Sequence, residues 1–343
     1  MMAETPPWLD AHTKLPFGAI AEDTIEVSLL HTSRGQTTVA RPLVDLGFDG
    51  YARRVGTLQV VPYQVKARRN LNRPSLFEYR VRVRSIHHDP NAAILFAYFP
   101  TPGPQPFPRL FAIPVPYFIS HCPREHAAAG EYYAFAAGLK GTARSAWSQF
   151  LVDFAGLEQQ WLDRIPGWKT RPHALERRIE AMPVPSDARE HRVRGKCAEL
   201  YVAEQVQAAA GHQVVVAEDR VRLDAVGLLL HDLKSYRVAG LAVHSALVTA
   251  KQRVAISFGA TTFFVDERLW LVILPSKRDG TFHDTAFLIP SAEIPGLIGT
   301  TRLSNGNLGF RATIGLDPIS LRYAPFAVPT RGLGKAIQEK VLG

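Results

Sequence analysis

Four side chains in the first third of this sequence suit one kind of chemistry. Glu22, Asp49, Gln64 and Lys66 combine two carboxylates, one amide oxygen and one cation. Hard oxygen donors of this type hold Mg²⁺ or Mn²⁺ beside a scissile phosphate. A neighbouring cation can orient the attacking water or stabilise the charge that develops. The chemistry such a set would suit is metal-assisted hydrolysis of a phosphodiester bond.

Local elements have to bring these groups together. Gly47-Phe48-Asp49 reads as a turn entering a strand, and Gln64 and Lys66 stand two apart on the next strand, so both face one side. If that hairpin pairs normally, Asp49, Gln64 and Lys66 converge, and Glu22 comes from the preceding helix. The plain alternative is a solvated Glu22, a turn-forming Asp49 and a surface Lys66. Asp45, four residues before Asp49, reads as a turn residue, with a further acid as the other option.

The chain also repeats itself. Gly18-Ala-Ile-Ala-Glu22 parallels Gly195-Lys-Cys-Ala-Glu199, and Ala93–Pro100 parallels Leu269–Pro275. Leu110-Phe-Ala-Ile-Pro114 parallels Ala286-Phe-Leu-Ile-Pro290. The offset is 177 for the glycines and glutamates, 175 from Asp49 to Asp224, and 178 from Lys66 to His244. Five landmarks in one order point to a tandem duplication. Each copy reads helix, three strands, then further helix and strands, an α/β arrangement with a mixed central sheet flanked by helices. In the second copy Glu199 and Asp224 stand at the acidic positions, but Ala242-Val243-His244 replaces Gln64-Val65-Lys66, so that copy is expected to be inactive. Asp232-Leu233-Lys234 lies too close to Asp224 to replace it.

Gly18-x-x-x-Glu22, Gly47-Phe48-Asp49 and Gln64-Val65-Lys66 together resemble the PD-(D/E)XK, or restriction-endonuclease-like, nucleases. The nearest variants are the Mrr-like and archaeal-resolvase-like groups with a Q-x-K motif. The match spans roughly residues 14–118. The resemblance implies Asp49 as principal Mg²⁺ ligand, with Gln64 and the Val65 carbonyl contributing, Lys66 orienting water and Glu22 as the helix carboxylate. It also implies a DNA endonuclease serving bacterial defence, restriction or repair, with the second copy standing in for the other subunit of a dimer. Gln64 departs from the commoner pattern, because it leaves two formal carboxylates where many members have three.

Bulk properties agree with a two-domain α/β protein. The chain has 343 residues, 40 Lys+Arg against 31 Asp+Glu and a formal charge of +9. That balance suits a polyanion such as DNA, and Arg53, Arg54, Arg68, Arg69 and Arg73 are the expected nucleic-acid contacts. Two cysteines exclude a disulfide framework and a four-cysteine zinc site. No apolar run reaches membrane-spanning length and no leader is read at the N-terminus, so a cytoplasmic location and no membrane partner are expected. No Gly-rich phosphate loop or G-x-S-x-G motif occurs, so no nucleotide cofactor is expected. His87-His88-Asp89 and His121-Cys122 with His126 read as loop or core residues, and Tyr132, Tyr133 and Phe135 as helix packing. The expected boundaries are 1–122, 123–190 and 191–343. The middle segment is read as a helical insert with a proline-rich linker, able to serve as a protein-partner surface. The competing functions are a catalytically inactive DNA-binding or assembly subunit, and a protein-interaction scaffold.

Overall fold

The computed structural model describes residues 7–33, 35–71, 73, 75–100, 107–139, 145–162, 165, 168, 188–219, 224–259, 262–302 and 308–343. They form an α/β protein of two compact units, the first reaching Trp168 and the second comprising Val55–Leu58 and Lys169–Gly343. No helix among the described residues is long and apolar enough to cross a membrane.

The first unit opens with helix α1 (Pro7–Thr32), which buries Ala21, Ile25 and Leu29. Their spacing of four puts them on one helix face, and each large side chain removed from water contributes about 1.5–3 kcal/mol. That face lies on a mixed sheet ordered β1-β2-β3-β5-β6-β9, with β1 (Thr37–Pro42), β2 (Gly50–Arg54) and β3 (Val60–Arg68) antiparallel. Strand β3 runs parallel to β5 (Ala93–Tyr98), and β6 (Arg109–Pro114) and β9 (Leu151–Asp153) complete the sheet antiparallel. A parallel pair needs a crossover; here it carries β4 (Leu76–Arg82) and a 3-10 turn, Val83–Ser85. Strand β4 joins β8 (Gly130–Gly138) and β7 (Arg124–Ala127) in a small second sheet. Alternation along β5 divides its side chains: Ala93, Leu95 and Ala97 join the α1 core, while Phe96 stacks on Phe135 at 4.2 Å between ring centres. Helices α2 (Val115–His121) and α3 (Leu157–Trp161) close the unit.

The second unit has the same element order and the same strand pairings. Helix α4 (Ala188–Ala210) buries Ala198, Val202 and Val206 against a sheet ordered β10-β11-β12-β14-β15-β18. Its strands are β10 (Val214–Asp219), β11 (Leu228–Asp232), β12 (Val238–His244), β14 (Leu269–Ile273), β15 (Thr285–Pro290) and β18 (Ala327–Pro329), with β12 and β14 parallel. The other face carries β13 (Arg253–Gly259), β17 (Leu308–Gly315) and β16 (Thr300–Arg302). Helices α5 (Ile294–Leu297) and α6 (Leu333–Ile337), the latter continuing to Leu342, complete the unit.

The middle segment departs from the expectation for 123–190. Residues 130–138 form a strand, and the first unit continues to Trp168. Tyr133, Phe135, Ala137 and Leu139 are all buried, and their strict alternation is strand period; Phe135 and Leu139 taken alone imitate a helix. The same alternation makes Tyr133 and Phe135 sheet core, with Tyr132 half-buried on the other face. The proline-rich linker, at 169–186, lies outside the described residues.

Candidate active site

Strand β2 stops pairing with β3 at Gly50–Tyr63, so the next outward N–H of β3, that of Val65, has no strand partner there. Asp49 fills the gap. Its own N–H donates to the Tyr63 carbonyl at 2.9 Å, and its Oδ2 accepts from Val65 N at 2.5 Å. Gly47 enters this turn at φ +91°, a region open to glycine, with the Asp45 carboxylate accepting its N–H at 3.0 Å. Asp45 is therefore the turn former.

Gln64 and Lys66 share the β3 face opposite α1, as their spacing requires, since Tyr63 and Val65 join the α1 core. The Gln64 amide nitrogen donates to Gly47 O at 2.9 Å and Ser85 O at 3.2 Å. Two carbonyl acceptors fix which way the amide points and leave Oε1 as its donor atom toward a ligand.

Charge ties three of the four groups together. Burial, with Asp49's charge added, pushes the Glu22 carboxyl up to about 7. Burial also raises Asp49, against the pull of Lys66 and the Val65 N–H, and it lowers the Lys66 ammonium against the pull of Asp49, Asp45 and Glu22. Glu22, Asp49 and Lys66 are thus mutual neighbours, and the two carboxylates oppose each other's ionisation. Arg41 on β1 adds a second cation, held by Asp23 and by Glu26 at 2.7 Å.

The donor set fits a hard divalent cation in kind: two half-buried carboxylates, one raised by the charge of the other, and an oriented amide oxygen. Among the described residues no group of three or more His, Cys, Asp and Glu forms a metal-binding cluster. Glu22 and Asp49 with the amide Gln64 fall outside such a group by residue type.

His87, read from the sequence with His88 and Asp89 as a loop or core residue, packs against the site. Its ring stacks on Phe48 at 4.9 Å, its Nε2 hydrogen-bonds the Leu46 carbonyl, and a Cβ on Gly47 would come within 2.8 Å of that nitrogen. The segment Ser85–His87 thus clamps the turn that carries Asp49. Nothing in the spacing of His87-His88-Asp89 signals this; the contact is tertiary.

Two expected nucleic-acid contacts are corrected. Arg53 is 0% and Arg54 3% exposed, so neither can reach a backbone outside the protein. Arg54 pairs with Glu158 at 2.6 Å and also bonds Gln36, while Thr37 Oγ1 donates to the same carboxylate at 2.9 Å. Arg68 is half-buried and donates to the Glu78 carbonyl; Arg69 and Arg73 are exposed.

The second unit differs from the first at more than the Ala242-Val243-His244 positions. Gly227 N–H donates to Leu241 O at 3.0 Å, fourteen residues on, as Asp49 donates to Tyr63. The position equivalent to Asp49 is therefore Gly227, not Asp224. Asp224 accepts from Val226 N at 3.0 Å, the turn role of Asp45, and from Gly56 N at 2.7 Å. Glu199 is buried, and its Oε1 lies 2.7 Å from where a Cβ on Gly227 would stand. Ala242 is buried, and burial pushes His244, whose ring lies 5.0 Å from Phe258, down to about 4. Asp232 accepts from Lys234 N at 3.0 Å and from Ser235, so it closes a hairpin turn.

The chain matches no family model, no curated protein and no solved structure.

Proposed function

We propose that the first unit is a metal-dependent phosphodiesterase of the restriction-endonuclease-like kind, that its substrate is DNA, and that the second unit is a duplicated copy without a working site. The observation that carries this reading is the convergence of Glu22, Asp49 and Lys66 around an oriented Gln64. The repeated strand order supports the duplication.

Asp49, Glu22 and the Gln64 oxygen are the residues that would hold Mg²⁺ or Mn²⁺. When bound, such a cation polarises a phosphoryl oxygen and offsets the charge of the transition state. The protein supplies the rest. The bond from Val65 N–H holds the Asp49 carboxylate in one orientation, so little reorganisation is needed on binding. Lys66, half-buried among acids, presents an N–H⁺ to the attacking water or to the phosphate oxygen that gains charge. Burial strengthens each of these interactions by thinning the water around them.

The test is nicking of supercoiled plasmid with Mg²⁺ or Mn²⁺. The wild-type chain is expected to cut, and Asp49→Ala and Lys66→Ala to lose at least about a hundredfold in rate. Undiminished cutting by either variant, or no cutting by the wild type with either cation, overturns the proposal.

A further inference from the structure

Arginine is concentrated along the crossover between β3 and β5, and its exposure there is uneven. Phe77 and Val81 of β4 face the core, while Arg80 and Arg82 alternate with them on the outer face. Residues two apart on a strand sit about 7 Å apart on one face. The next basic residue, Arg84, is exposed on the 3-10 turn Val83–Ser85. That turn ends at Ser85, whose carbonyl takes the Gln64 amide at 3.2 Å and whose hydroxyl bonds Arg82 O at 2.8 Å. Exposed arginines therefore follow one another along β4 and into the turn that contacts the site.

The three arginines are not equivalent. Arg80 is paired with Glu125 at 3.0 Å, whereas among the described residues neither Arg82 nor Arg84 has an acidic partner. Between Lys66 and Arg84 the only acid is Glu78, against seven basic residues. Guanidinium groups match phosphate in a planar, two-pronged geometry and hold their charge at any working pH. Such a row fits the repeating phosphates of one nucleic-acid strand better than the irregular charges of an acidic peptide.

We propose that Arg82 and Arg84 form the backbone track that leads a DNA strand to Asp49 and Lys66, in place of the buried Arg53 and Arg54. This proposal rests on the nuclease reading of the site, but its test does not need cleavage. Binding of a short fluorescein-labelled DNA duplex is followed by anisotropy across a salt series, with EDTA present. Each phosphate contact contributes about 0.9 to the slope of log K against log salt. Arg82→Ala with Arg84→Ala should lower that slope by about 2 and weaken binding about tenfold or more at intermediate salt. The matched control, Lys251→Ala with Arg278→Ala on the exposed surface of the second unit, should leave the slope as in wild type. Thermal melts of both double variants establish that they are folded. A wild-type slope in the Arg82/Arg84 variant overturns the track alone. Failure of the wild-type chain to bind at low salt overturns the track and the nuclease reading together. The expected slopes without cleavage under any cation support the track and overturn the nuclease reading.

Discussion

Glu22→Gln should make the protein more stable in mildly alkaline solution, because the candidate site is assembled against its own electrostatics. Raising this carboxyl from 4.5 to about 7 corresponds at most to about 3.4 kcal/mol of penalty on the ionised form, at about 1.36 kcal/mol per tenfold change in proton affinity. Glu22 is only half-buried, and solvent screening reduces this to roughly 1–2 kcal/mol. The folded carboxyl binds its proton more tightly than the unfolded one. Its contribution is therefore complete below 4.5 and is lost as pH rises from 4.5 to about 7. Asp49, also raised by burial, acts in the same direction, while Lys66, lowered by burial, recovers stability only on the alkaline side. His244 adds an acid limb: pushed down to about 4, it costs stability as pH falls from 6.5 towards that value. Comparing wild type with Glu22→Gln at each pH cancels the contribution of His244.

The assay is urea unfolding at about pH 8 and about pH 4.5 with EDTA present. Glu22→Gln should exceed wild type by roughly 1–2 kcal/mol at the higher pH and match it at the lower. With saturating Mn²⁺ the order should reverse, because a cation at a hundred times its dissociation constant stabilises the native state by about 2.7 kcal/mol and the variant offers it a neutral amide oxygen in place of a carboxylate. A variant no more stable than wild type at about pH 8 would falsify the claim that burial and the like charge of Asp49 hold Glu22 against ionisation.

Two further substitutions probe the frame around the site. Glu158→Ala leaves the Arg54 guanidinium buried without its carboxylate, and should cost about 3–5 kcal/mol in urea unfolding; a loss under about 1 kcal/mol means that Arg54 is not the buried ion-pair partner described. Gly47→Ala adds a Cβ at φ +91° against the His87 ring, and should cost about 1–3 kcal/mol and weaken Mn²⁺ binding in calorimetry. Full Mn²⁺ affinity in that variant shows that the turn does not set the position of Asp49.

Much of the frame was legible in the sequence. Ala21, Ile25 and Leu29 at spacing four determine the face that α1 buries, and alternation along β3 determines that Gln64 and Lys66 share a side. These are properties of single elements, set by helix and strand periods. The paired landmarks Gly18/Gly195, Glu22/Glu199 and Lys66/His244 fall on corresponding elements of the two units, because each element keeps its place in the order.

What the sequence left open depended on partners distant along the chain. Arg53 and Arg54 look like surface cations until β2 is placed and Glu158, 104 residues away, is brought beside Arg54. The clamp of Ser85 and His87 on Gly47 exists only once the crossover folds back over the site. The acidic position of the second unit was misassigned to Asp224, because spacing alone cannot distinguish the aspartate that makes a turn from the residue that follows it into the strand. Hydrogen-bond register does: Asp49 reaches Tyr63 and Gly227 reaches Leu241. Periodicity acts within an element and is therefore written in the chain, whereas burial, charge pairing and register arise between elements and are decided only when they pack.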